Sequence, residues 1–103
     1  MTGVQTCALP ILTNLTFGYY FDLPVDNLPQ NLTNLTFGLN FSQSINNLPP
    51  NLTNLAIGGY FSEPVEKLPE SIKTIIIKHI IQKKLFPEKF HGLIKVENYY
   101  IIT

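Results

Sequence analysis

The chain has 103 residues, of which 45% are hydrophobic and 14% charged, and seven basic side chains balance seven acids. That is room for one small folded domain, too apolar for a disordered tail and too evenly charged for a nucleic-acid binder. A single cysteine, Cys7, excludes an internal disulfide framework and a cysteine-rich zinc site.

Residues 1–11 differ in character from the rest of the chain. Their short apolar stretch has no basic residue ahead of it, so it is a poor secretory signal. TGVQTCALPI resembles the conceptual translation of a sequencing adaptor joined to a truncated reading frame. Spacing supports that independently: later units read L-P-x-x-L, as in Leu28-Pro29 to Leu32, whereas Leu9-Pro10 precedes Leu12 with one residue fewer. The segment is expected to be artefactual, with an atypical terminal cap as the alternative. Under the first reading the natural protein continues further toward its N-terminus. The first coil then presents an unpaired strand edge.

From Leu12 the chain repeats every twenty residues, in units starting at Leu12, Leu32, Leu52 and Ile72. The columns Leu12/Leu32/Leu52, Leu15/Leu35/Leu55, Gly18/Gly38/Gly58, Phe21/Phe41/Phe61 and Leu28/Leu48/Leu68 recur without a slip. One such unit cannot bury its apolar face alone, so this period predicts a solenoid of stacked coils. The spacing L-x-x-L-x-F/I-G fits the strand segment of a leucine-rich repeat. Alternation then turns Leu15 and Phe17 inward and Thr16 outward. The glycine after the strand is expected to permit a backbone turn that a Cβ would hinder. The leucine-proline pairs favour an extended return, with Phe21, Val25 and Leu28 filling the core from that side. The expected fold is a leucine-rich-repeat-like solenoid, mostly β, with short parallel strands, extended returns and little helix.

These residues resemble the FNIP repeats, leucine-rich-repeat relatives abundant in social amoebae and in giant viruses that infect amoebae. The motif F-x-x-P-I/V-x-x-L-P-x-x-L-T-x-L-x-F-G reads here as FDLPVDNLPQNLTNLTFG, FSQSINNLPPNLTNLAIG and FSEPVEKLPESIKTIII. The resemblance covers roughly Leu12 to Leu85. Two departures leave the loop detail open: Asp22, Ser42 or Ser62 stands where the family has asparagine, and Ser44 replaces a proline. The resemblance implies protein–protein interaction, no cofactor and no catalysis. Some members resemble substrate adaptors with an F-box ahead of the repeats; that role would need a longer parent chain. The expected setting is intracellular, the cytoplasm of a host cell if the source is a virus.

The fourth unit keeps Ile72, Ile75 and Ile77 but has Lys78 in place of glycine. Residues 12–85 are read as four repeat units and 86–103 as a C-terminal cap, which closes the core with charge outside. One helical turn is expected over 86–92, with Gly92 as its stop, followed by an edge strand centred on Ile94 to Val96. All seven lysines lie between Lys67 and Lys95. They solubilise an exposed end or, in the sharper reading, bind polyanions weakly.

Little chemistry is encoded. His79 and His91 stand twelve apart without a thiol or paired carboxylate at metal-ligand spacing, and Glu63 and Glu66 belong to a surface return. No metal, cofactor or catalytic residue is expected, and the chain reads as a non-enzyme with no membrane span and no nucleic-acid partner. The sequons at Asn14, Asn31, Asn34, Asn40 and Asn51 fall in repeated columns, so hydrogen bonds between coils explain them better than glycosylation. The candidate partner-binding residues are Tyr19, Tyr20, Leu39, Asn40, Tyr60 and His79. They come after the strands and differ from unit to unit, and exposed aromatics commonly anchor interfaces. Packing of Tyr20 and Tyr60 over the core edge is the alternative. The reading is a protein-binding module from a longer protein, with an inert structural spacer as the second possibility.

Overall fold

The computed structural model describes residues 11–97. Strands β1 (Asn14–Thr16), β2 (Asn34–Thr36), β3 (Asn54–Ala56), β4 (Thr74–Ile77) and β5 (Ile94–Val96) form one parallel sheet in that order. Asn14 pairs with Asn34, Asn34 with Asn54 and Asn54 with Thr74, so each of these coils returns after twenty residues. The last step is one residue shorter, pairing Ile75 with Ile94. The ladder extends past the strands, through Thr33 N–H to the Thr13 carbonyl (2.8 Å) and Phe17 N–H to the Thr36 carbonyl (2.9 Å).

Alternation places Leu35, Phe37, Leu55, Ile57, Ile75 and Ile77 in the core. Phe41, Phe61, Val25, Ile45 and Val65 close it from the return side. Within a coil the two phenylalanine rings stack, Phe17 on Phe21 at 4.0 Å and Phe37 on Phe41 at 3.8 Å. Between coils the columns continue at 5.3 Å (Phe17 to Phe37) and 6.2 Å (Phe41 to Phe61). Such contacts contribute about 0.5–1.5 kcal/mol each beyond area burial. The first coil is less enclosed: Leu12 is 45% exposed, whereas Leu32 and Leu52 are fully buried.

Polar columns also stack. Asn34 Nδ2 donates to Asn14 Oδ1 and Asn54 Nδ2 to Asn34 Oδ1, while each of these asparagines also reaches the preceding threonine hydroxyl. Thr33 and Thr53 hydroxyls donate to the Thr13 and Thr33 carbonyls. Asn14 and Asn34 thus bond between coils as their column position implied; Asn31 and Asn51 lie in exposed turns. In the returns between repeated coils, side chains tie one coil to the next. Asp22 Oδ1 accepts from Ser42 N–H, Ser42 Oγ from Ser62 N–H, and Asn46 Oδ1 from Glu66 N–H. The departures from the family motif at 22 and 42 therefore keep an oxygen where one is needed.

Two expectations need correction. The glycine column answers to stacking. A Cβ on Gly38 would lie 2.8 Å from the Gly18 carbonyl carbon, and one on Gly58 would lie 2.7 Å from that of Gly38; neither glycine has a left-handed φ. The helical turn expected over 86–92 is present as the 3-10 helix η2 (Glu88–Leu93), but Gly92 is not its stop, and an unexpected 3-10 helix, η1 (Ile80–Leu85), precedes it. Gly92 lies inside η2, which ends where Ile94 enters the sheet beside Ile75. The edge strand at Ile94–Val96 is present as expected.

Candidate functional site

The chain leaves β1, β2 and β3 through the glycine column, and β4 through Lys78 in the same position, to form a series of arches after the strands. Tyr19, Leu39, Gly59 and His79 occupy the same place in successive arches, and Tyr60 stands beside them. Gly59 has no side chain where its neighbours have large ones. A Cβ there would meet Leu39 Cδ1 at 3.3 Å and His79 Nε2 at 3.4 Å, so those two side chains close over the glycine from either side. They border a groove of about 520 Å³, lined by Tyr19, Leu39, Tyr60, Lys78 and His79 and floored by Phe37, Gly38, Gly58 and Gly59.

Backbone bonds hold the arches in line, from Asn40 N–H to the Tyr19 carbonyl (3.1 Å) and from Tyr60 N–H to the Leu39 carbonyl (3.2 Å). The next arch lacks this continuation and is fixed by one buried amide, Gln82. Its Oε1 accepts from Lys78 N–H (2.9 Å) and His79 N–H (3.1 Å). Its Nε2 donates to the carbonyls of Gly58 (2.9 Å) and Phe61 (3.0 Å). A carboxamide offers two acceptor and two donor sites, and Gln82 uses all four. It thereby sets the His79 wall of the groove relative to its glycine floor.

Of the six residues singled out in the sequence, Tyr19, Leu39, Tyr60 and His79 come together at the groove. Tyr20 is 81% exposed and rests edge-on against Tyr19, with ring centroids 4.8 Å apart. Asn40 is half-buried between arches and contributes its backbone N–H there. Tyr60 is 64% exposed, so neither Tyr20 nor Tyr60 is absorbed into the core edge. Sequence reasoning missed Gln82 and Gly59. Gly59 was visible as the one glycine in a column otherwise holding Tyr19, Leu39 and His79; Gln82 had no signal beyond the broken repeat around it. Ile80 and Ile81, about two-thirds exposed, extend the apolar strip beyond His79.

The groove is mainly apolar and aromatic, with His79 and Lys78 as its polar side chains. Among the described residues no three His, Cys, Asp or Glu side chains converge on a point that could hold a metal ion, and no helix is long and apolar enough to cross a membrane. His91 turns its ring nitrogen to the Phe86 carbonyl at 2.9 Å, away from His79's groove. Compared with known proteins, the chain matches the family described as FNIP Repeat in two consecutive stretches, residues 9–40 and 41–79. No curated protein and no solved structure matches it.

Proposed function

The chain belongs to the FNIP repeat family, and from that premise we propose that it is a protein-interaction module whose partner seats a large apolar side chain in the arch groove. The observation that carries this reading is the groove of about 520 Å³ that Tyr19, Leu39, Tyr60 and His79 line across successive arches. Exposed Tyr19, Tyr20 and Tyr60 supply rigid contact area around it, at low cost in side-chain entropy. In the finer form of the proposal the repeats are the substrate-recognition part of an F-box-type adaptor, working inside the cell as a piece of a longer polypeptide and without catalysis of its own.

A spacer role is the second reading, favoured by the regular Asn14/Asn34/Asn54 face, whose side chains satisfy one another. Reshaping the groove at Gly59 separates the two. Gly59→Leu places its side chain against the flexible ends of Leu39 and His79, so the fold should survive. Partner recovery from cytosol of the source cells is compared for wild type, Gly59→Leu and Thr36→Lys, the last altering the flat sheet face. A partner lost with Gly59→Leu and retained with Thr36→Lys supports the groove. A partner indifferent to Gly59→Leu rejects it, and no saturable partner at all favours the spacer.

A further inference from the structure

The side chains around the arch groove are of one electrostatic kind. Tyr19, Phe37, Leu39 and Tyr60 supply apolar and aromatic surface, Lys78 an ammonium and His79 an imidazole, and no carboxylate lines it. The two nitrogen-bearing side chains are neighbours in sequence and stand together at one end. His79 Nε2 lies 3.4 Å from the place a Cβ on Gly59 would take, so the nitrogen edge of the ring faces the groove. The backbone beneath both residues is pinned, because Gln82 Oε1 accepts from the N–H groups of Lys78 (2.9 Å) and His79 (3.1 Å). Donors fixed in this way meet a ligand at little cost in ordering.

Charge varies along the groove. Residues 18–21, 38–41 and 58–61, which form the arches after β1, β2 and β3, hold no charged side chain. Residues 77–87 hold Lys78, Lys83 and Lys84 and no acid. Glu97, whose N–H donates to the Ile77 carbonyl at 2.8 Å, is the acid that the sheet brings beside this stretch, and it does not line the groove. The groove is therefore aromatic and neutral at Tyr19 and basic at His79. Neighbouring strands stand about 4.8 Å apart, so two coil steps separate Leu39 from His79 and three separate Tyr19 from it, roughly 10 and 14 Å. An extended peptide advances about 3.3 Å per residue and covers that span in three or four residues.

Resting on the reading of the groove as a protein-binding site, we propose that its partner is an extended acidic segment. An aromatic or large aliphatic side chain lodges against Tyr19, Leu39 and Tyr60, and an Asp or Glu side chain three or four residues away meets Lys78 and His79. Hydrogen bonds from nitrogen donors to a carboxylate are stronger than neutral ones, and the acid fixes which end of the segment lies at His79. The test is selection of random short peptides on the 103-residue chain, displayed between fixed flanks so that no chain end is free. Affinities of the enriched peptides are then compared for wild type, Gly59→Leu and Lys78→Glu. The expected peptides carry an apolar residue and an acid at that spacing, and Gly59→Leu loses them. Lys78→Glu should weaken them about tenfold at low salt and less at high salt. Exchanging the peptide's acid for lysine should restore binding to Lys78→Glu, which also shows that variant to be folded. Peptides that need the groove but carry no acid, that bind Lys78→Glu like wild type, or that the exchange fails to rescue, overturn the acidic partner and leave the groove reading standing. Peptides indifferent to Gly59→Leu, or no enrichment at all, overturn both.

Discussion

The arches after β2 and β3 and the arch after β4 perform one task by different means. In the first two, Gly38 and Gly58 let the backbone settle onto the coil before, and peptide groups hold the register from Tyr60 to Leu39 and from Asn40 to Tyr19. In the third, Lys78 stands in the glycine column, the chain bends into η1, and the Gln82 carboxamide substitutes for the missing peptide contacts. The repeated coils spread the work over many weak, copied contacts. The terminal arch concentrates it in one side chain, which is why its sequence is free to leave the repeat.

That contrast is sharpest at the glycines. Gly58→Ala sets a Cβ against the Gly38 carbonyl and Leu39 Cα, backbone atoms that cannot move without parting the coils, and should cost about 4 kcal/mol or more. Gly18→Ala, the same change at the same repeat position, should instead stabilise by about 0.4–1 kcal/mol, since it meets no described neighbour and its φ is not left-handed. Denaturant unfolding of the pair reads both signs, and equal effects would break the stacking account of the column. Gln82→Leu comes next. It takes the amide donor from the buried carbonyls of Gly58 and Phe61 and the acceptor from the part-buried N–H groups of Lys78 and His79, an expected loss of about 3 kcal/mol. Hydrogen exchange should rise in the 78–85 arch before it rises in β2; uniform exchange would mean that Gln82 is not the sole tie. The smallest effect belongs to Asp22. Hydrogen bonds from Ser42 N–H and then the Gln43 amide lower its pKa below the ordinary 3.8. A lowered folded-state pKa contributes stability above the unfolded value, lost as pH falls through the folded one. The slight gap between wild type and Asp22→Ala is therefore expected at neutral pH and should close as pH falls through the lowered Asp22 value. A gap that persists in acid would assign it to packing.

The repeat was legible because its contacts are local to a column. Leu15, Leu35 and Leu55 recur at the spacing at which they stack, so period and register could be read together. The inward turn of Phe17, the return packing of Phe21 and Val25 and the last strand at Ile94–Val96 came from the same pattern. What was not legible depends on distance across coils. Glycine at 38 and 58 suggested a turn, but the cause is the carbonyl one coil away, which no property of the local sequence reveals. Gln82 is a single polar residue between isoleucine and lysine, and only the fold shows that four backbone groups converge on it. For the groove, variation within one column located Tyr19, Leu39 and His79; the close approach of Leu39 and His79 over Gly59 was not legible, because that residue is easily mistaken for a copy of the glycine before it.

A further consequence lies in the arithmetic of the twenty-residue step. Strand register and side-chain columns between repeated coils join equivalent positions, so removing residues 32–51 as a block would set Asn54 beside Asn14, Phe61 beside Phe21 and Gly58 beneath Gly18, each meeting the kind of neighbour it already has. A shift by a single residue would send the leucines outward and the asparagines inward. Length in this fold is therefore quantised: a gene encoding it can gain or lose whole coils by unequal recombination and still yield a folded product, while the arch column, reshuffled each time, presents a new combination of side chains to the outside.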